Sequence, residues 1–146
     1  MPNDPSTEEL ALAVTTLAAR MTHRLEQRLA VHGVALSEYL VMRLLSDAPD
    51  RTMRRTDLAD GVNMTPSGVT RMLLPMEKNR IVTREANERD ARVSLVRLTK
   101  TGERLFHDAT ASFRHGAEMF FEPLTVSQIE RFTGLVRTII PEGEGR

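Results

Sequence analysis

The sequence predicts a mainly α-helical domain carrying one small β-hairpin. Two observations lead there. Apolar residues recur at steps of three and four through most of the chain. The alternating run Val93-Ser-Leu-Val-Arg-Leu98 stands apart from them, close behind the short run Ile81-Val-Thr-Arg84. At 146 residues the chain is long enough to bury the core of a single domain without metals or disulfides.

The first helix opens at Ser6-Thr-Glu-Glu9, which fits a capping box with Ser6 at the N-cap. Leu10, Val14, Leu17, Met21, Leu25 and Leu29 then line one stripe until Gly33 offers a stop. Ser37 is expected to cap a second helix, with Leu40, Val41, Leu44 and Leu45 inward, ending before Asp47-Ala-Pro-Asp50. A third, short helix spans about 54–60 around Leu58 and Ala59. Asn63 sits where the following turn needs a left-handed residue. Thr65 caps a fourth helix with Pro66 at its first position, where a missing N–H costs nothing. That helix reaches about Lys78 with Val69, Met72, Leu73 and Met76 inward, and Pro75 should kink or overwind its last turn. The two strands follow, with Glu85–Arg92 as the hairpin tip. Thr99 caps a fifth helix through Leu105, Ala109, Phe113, Ala117 and Phe120, broken near Pro123. Thr125 and Gln128 form a capping box for the last helix.

Composition narrows the function classes. There is no cysteine, which excludes structural disulfides, thiolate zinc sites, cysteine nucleophiles and thiol-based redox sensing. MPNDPSTEEL has no apolar region of the secretory kind, and no run approaches the roughly 18 apolar residues of a membrane span. These features predict a soluble, cytoplasmic protein with no membrane partner. Net charge is zero, yet residues 51–104 hold 12 Lys and Arg against 7 Asp and Glu, while the remainder holds 8 against 13. A basic centre between acidic ends is the footprint of a module that binds a polyanion.

Helix, tight turn, helix, then a two-stranded hairpin is the order of a winged helix-turn-helix. The fourth helix is then the reading helix. Its inward set leaves Ser67, Gly68, Thr70, Arg71 and Leu74 on or near the outer face. Small hydroxyls at its start allow close approach where free backbone N–H groups favour phosphate, and Arg71 can reach a base edge.

From Leu36 to Leu105 the chain resembles the MarR (multiple antibiotic resistance regulator) family. Leu58-Ala-Asp-Gly-Val-Asn-Met-Thr-Pro-Ser-Gly-Val-Thr-Arg-Met-Leu73 resembles the family's helix-turn-helix. Asp90-Ala-Arg-Val-Ser-Leu-Val-Arg-Leu-Thr-Lys-Thr-Gly102 is similar to its wing signature D-x-R-x-x-x-V-x-L-T-x-x-G. The resemblance implies one MarR-like domain over 1–146, with a winged helix-turn-helix at 36–99 and dimerisation helices at 6–33 and 100–140. It implies double-stranded DNA as partner, through a pseudo-palindromic operator read by a homodimer, and a repressor released by a small-molecule effector. Thr65, Pro66, Ser67, Thr70 and Arg71 on the reading helix are the expected DNA contacts, with Arg54 and Arg55 before it and Arg89, Asp90 and Arg92 at the wing tip. Arg92 is expected in the minor groove, with Asp90 holding the wing in shape. Where the family usually has glycine after the reading helix this chain has Arg80, so Asn79 is expected to take the left-handed position.

The flanking helices carry more apolar surface than a domain of this size covers alone. Leu10, Val14, Leu17, Phe113, Phe120, Ile129, Phe132, Val136 and Ile139 are the expected dimer seam. The resemblance also implies a small aromatic or phenolic effector near the junction of the two lobes. His23, Tyr39 and Arg43 are the polar candidates there, although ordinary surface placement also accounts for each. The four histidines are too scattered to predict a metal site, and no cofactor is expected. No phosphate loop, GxSxG or HExxH motif occurs, so catalysis is not expected. A winged helix serving as a protein-protein module is the rival reading. Such a module favours apolar anchors on the reading helix, where this chain has Ser67, Thr70 and Arg71.

Overall fold

The computed structural model describes residues 5–140, in the order α1 (Pro5–Leu29), α2 (Leu36–Asp47), β1 (Thr52–Arg54), α3 (Arg55–Gly61), α4 (Pro66–Lys78), β2 (Val82–Ala86), β3 (Ser94–Leu98), α5 (Lys100–Phe121) and α6 (Val126–Ile139). The mainly helical class with a small sheet is as expected. The capping expected of Ser6 differs: α1 already starts at Pro5, so Ser6 lies in its first turn. The ends of the expected unit, 1–4 and 141–146, lie outside the described residues.

Three helix ends close in the same way. After Leu29 the chain tightens into a 3₁₀ turn, and Gly33 takes φ 68° while the N–H of Val34 reaches the Leu29 carbonyl at 3.4 Å. After α3, Asn63 takes φ 54° and Met64 N–H bonds Ala59 O at 2.9 Å. After α4, Arg80 takes φ 59°, with Ile81 N–H on Met76 O and Arg80 N–H on Glu77 O, each at 2.9 Å. These are paired 6→1 and 5→2 closures; after α3 and α4 the left-handed residue lies two positions beyond the last helical one, and Gly33 directly follows the 3₁₀ turn Ala30–His32. Asn63 matches the expectation. The expectation for Asn79 is corrected: it stays at φ −86° with its N–H on the Pro75 carbonyl, and Arg80 occupies the position despite its side chain. Counting from Lys78 decides the place, not the residue best suited to it. α4 itself runs through Pro75 to Lys78 as one helix. The donor missing at Pro75 belongs to a solvent-facing turn, where Arg71, Leu74 and Pro75 are all exposed.

α2 begins one residue before the expected cap. Its N-cap is Ala35, and the open N–H groups are met by two carboxylates: Glu38 accepts from Ala35 at 3.0 Å and Glu26 of α1 accepts from Leu36 at 3.1 Å. The buried face of the helix also differs from expectation. Tyr39, Val41, Met42 and Leu45 are buried, and Leu40 is exposed.

The sheet has three strands, antiparallel, in the order β1-β3-β2, with Thr52 and Thr83 flanking Arg97 on either side. β1 is too short to announce itself by alternation. Consecutive left-handed residues, Asp50 (φ 52°) and Arg51 (φ 55°), turn the chain from α2 onto the sheet. Arg51 is tied by an ion pair to Glu103 of α5.

One core joins these elements. Leu58, Ala59, Val69, Leu73 and Met76 from α3 and α4 meet Val41, Met42 and Leu45 from α2, with Val82, Val96 and Leu98 from the sheet. Thr99 locks α5 onto this core. Its Oγ1 accepts from Gly102 N–H at 2.9 Å and faces the carbonyls of Arg80 and Ile81 at 2.6 and 3.0 Å. Gly102 is required by that approach, since a Cβ there would stand 2.2 Å from the Ile81 carbonyl oxygen. From α5, Phe106 and Phe113 pack on the buried ring of Tyr39, with centroids at 5.3 and 4.6 Å. Phe113, expected in a dimer seam, is half-buried and packs against the core of its own chain on the side of α5 that faces α2.

α6 is different. No described residue of α6 is buried, and Ile129, Phe132, Leu135, Val136 and Ile139 are all exposed. Among the described residues no single helix is long and apolar enough to cross a membrane.

Candidate nucleic-acid interface

α4 presents its first turn to solvent. Thr65 Oγ1 accepts the Gly68 N–H at 3.1 Å, and Pro66 follows at the first helical position. Val69, Leu73 and Met76 anchor the helix, which turns Ser67, Arg71 and Leu74 outward. Thr70 does not face outward freely. It is half-buried, donates to the Pro66 carbonyl at 2.9 Å and accepts from Arg55 Nη1 at 2.5 Å. Arg55 is half-buried as well, whereas Arg54, its neighbour at the end of β1, is exposed.

The wing tip is ordered by short polar side chains. Asn87 Oδ1 accepts from Arg89 N–H at 2.9 Å, and Asp90 Oδ1 accepts from Arg92 N–H at 3.0 Å. The Asp90 carbonyl receives Val93 N–H at 3.1 Å. Asp90 therefore shapes the tip through the backbone. Its ion pair with Arg92 is long, 3.6 Å, and the Arg92 side chain is 94% exposed, so it holds the arginine weakly. Lower on the wing the charges are neutralised. Arg97 pairs with Glu85 at 3.0 Å and bonds Thr52 Oγ1 at 3.3 Å, and Arg84 pairs with Glu77 of α4. Among the described residues, Arg54, Arg71 and Arg89 have no ion-pair partner. Cations free to meet a polyanion thus lie on α4, before α3 and at the tip. The Arg84–Glu77 and Arg55–Thr70 links were not legible beforehand, since each joins residues on different elements.

The three effector candidates are not brought together. Tyr39 is a core residue, its hydroxyl 3.1 Å from Thr110 Oγ1. Arg43 is exposed on α2, and His23 lies in a groove between α1 and α5 beside Met119 and Phe120. A separate open groove of about 790 Å³ runs between Ser46 at the end of α2 and the first half of α5, lined by Phe106, His107 and Thr110 with Lys100, Glu103, Arg104 and Arg114. Its signal in the sequence was the run of polar residues at helical spacing on α5. Among the described residues no cluster of His, Cys, Asp or Glu could hold a metal ion.

The expected dimer residues divide. Leu10 and Val14 are 59% and 49% exposed, and Ile129, Phe132, Val136 and Ile139 are exposed on α6. Leu17 and Phe120 are half-buried and share a groove with Leu12 on α1.

A helix pair joined by a tight turn, its second helix anchored by three buried residues and followed by a sheet with a basic tip, defines a winged helix-turn-helix. The family model of the MarR family matches residues 34–94. The chain is 28% identical over 100 residues to the HTH-type transcriptional repressor YetL of Bacillus subtilis, a match covering 68% of this chain and 60% of YetL. The chain thus matches less than two thirds of that relative's length. A MarR family transcriptional regulator from Streptomyces coelicolor, solved in complex with DNA, superimposes with a TM-score of 0.85 at 22% identity, covering 94% of this chain and 87% of that one. CouR from Rhodococcus jostii, solved with p-coumaroyl-CoA bound, has a TM-score of 0.80 at 17% identity over 92% of this chain and 93% of its own.

Proposed function

We propose that this chain is a sequence-specific regulator that binds double-stranded DNA as a homodimer in the cytoplasm, represses transcription and is released by a small aromatic acid. The observation that carries the reading is the pairing of two outward arginines of different reach. Arg71 stands on the anchored helix α4, and Arg92 stands on a wing tip shaped by Asp90. A helix is the element that fits a major groove, and an exposed arginine on a slender tip fits the concentrated negative potential of a narrow minor groove. Thr65, Pro66 and Ser67 meet the backbone at the start of α4, with Arg54 and Arg89 adding phosphate contacts. The S. coelicolor regulator solved with DNA shares this fold, and the repressor YetL shares 28% of the matched sequence.

The dimer rests on the uncovered apolar residues of α1 and α6, and a twofold axis would set two α4 helices about one DNA turn apart on a pseudo-palindrome. The effector reading moves to the groove between α2 and α5. Phe106 supplies an aromatic wall there, and Lys100, Arg104 and Arg114 supply cations for a carboxylate. That CouR binds p-coumaroyl-CoA supports a phenolic ring as part of the ligand.

Selection of bound duplexes from a random pool, followed by titration in rising salt, tests the DNA reading. A palindromic consensus is expected, with affinity falling by orders of magnitude between low and moderate salt. On the selected operator Arg71→Ala should cost about 1–3 kcal/mol and much less on scrambled DNA. Arg92→Ala should weaken both, more where the flank is A·T-rich. Equal losses for Arg71→Ala on every duplex would replace base reading by a phosphate contact, and failure to enrich any sequence would overturn the function itself.

A further inference from the structure

Arg55 occupies an unfavourable place. It is the first residue of α3, where the helix dipole disfavours a cation and no acid pairs with it among the described residues. Its Nε is buried without a hydrogen-bond partner. A guanidinium held in such surroundings is expected to drift to solvent unless another contact retains it. The contact present is the 2.5 Å bond from Nη1 to Thr70 Oγ1, and Thr70 in turn donates to the Pro66 carbonyl in the first turn of α4.

The chain of contacts continues on the other side. Arg54, one residue earlier, ends β1 and lies opposite Leu95 of β3, the strand that descends from the wing tip. Arg55 is therefore where the wing sheet is joined to the start of the reading helix. From Pro66 to Thr70, from Thr70 to Arg55, and from Arg54 into β3, every link is a hydrogen bond, a peptide bond or a strand pairing. The wing also meets α4 through the shared core of Leu73, Met76, Val82 and Val96, and through the Arg84–Glu77 pair near the other end of the helix.

From this geometry we infer that Arg55 is a positioning residue rather than a DNA contact: through Thr70 it fixes the start of α4 relative to the wing, and so sets whether Arg71 and Arg92 engage their two grooves together. The inference rests on the DNA-binding reading above. Thr70, expected from its face to touch DNA, acts here as the acceptor that retains the guanidinium.

The test is a double-mutant cycle of Arg55→Ala, Thr70→Val and the pair, with Arg55→Lys as the conservative variant. Affinity for the selected operator and for scrambled DNA is measured across salt. Each single variant should lower the ratio of operator to scrambled affinity about tenfold, as loss of a charge-assisted hydrogen bond that orients a reading element would. The pair should lose no more than either single, because both remove one interaction. Arg55→Lys, which can still donate to Thr70, should recover part of the ratio. The salt slope should stay that of the wild type. A slope reduced by about one in Arg55→Ala would make the residue a phosphate contact and overturn the inference. So would additive losses, or an unchanged ratio with lowered stability, which is all a merely structural role predicts. Amide hydrogen exchange in the free protein keeps this apart from the DNA reading. Arg55→Ala and Thr70→Val should each speed exchange in the first turns of α4, around Val69 and Thr70, and leave α5 unchanged. Unchanged exchange at α4 would overturn the inference whether or not the wild type binds an operator.

Discussion

The winged lobe and the helices around it solve the burial problem in opposite ways. In the lobe, α2, α3, α4 and the sheet share one core whose members are almost wholly out of solvent, the ends of α3 and α4 are closed by paired backbone bonds, and Thr65 caps the start of α4. In α1 and α6 the periodicity is just as regular, yet Leu10, Leu12, Val14, Leu135 and Ile139 stand in water. Both regions follow the same amphipathic rule, and in α6 no described residue is buried, although Phe132 lies against Phe121 of α5. Apolar periodicity says that a face is to be covered. It does not say by which chain.

The largest expected break in that contrast lies in the lobe. Gly102→Ala would place a methyl 2.2 Å from the Ile81 carbonyl, a backbone atom that cannot move without shifting β2, so a loss of about 3 kcal/mol is expected. Thermal or denaturant unfolding reads it, and a variant as stable as wild type would mean that the α4–β2 junction yields more readily than its packing suggests. Gly116 gives the comparison, since its nearest neighbour at 3.0 Å is Arg28 Cγ, a flexible side chain. Gly116→Ala should cost far less.

The next effect belongs to the open helices. Phe132→Asp or Ile139→Asp should dissociate the proposed dimer, because each would bury an uncompensated charge in its apolar seam at a cost of several kcal/mol. Light scattering at micromolar concentration, with circular dichroism to show that the lobe stays folded, separates the two regions cleanly. A wild-type monomer would mean that these faces await some other partner.

The smallest effect sharpens the account of the helix ends. Arg80 holds φ 59° where glycine would be unstrained, at a cost of about 1–2 kcal/mol, part of which glycine would return as entropy of the unfolded chain. Arg80→Gly should therefore stabilise by about 0.5 kcal/mol, while Arg80→Val should destabilise by more than that. A destabilised Arg80→Gly would show that the arginine side chain contributes where it stands.

What the sequence by itself determined about this protein is everything whose cause lies within a few residues. Thr65, Thr99 and Thr125 cap the helices expected of them, because each hydroxyl reaches an N–H three residues on. Asn63 takes the left-handed turn, and Val69, Leu73 and Met76 face inward by helical spacing alone. The resemblance of the helix-turn-helix and wing to a known family was legible for the same reason, since it is written in two short contiguous segments. Tertiary structure decided the rest. It capped α2 with Glu26 from α1 instead of Ser37, and it drew Tyr39 from a candidate ligand position into the core between Phe106 and Phe113. It also added β1 and turned Thr70 toward Arg55. Each of these depends on where a second element comes to rest, and a side chain's partners across such a gap are set by packing that no local spacing encodes.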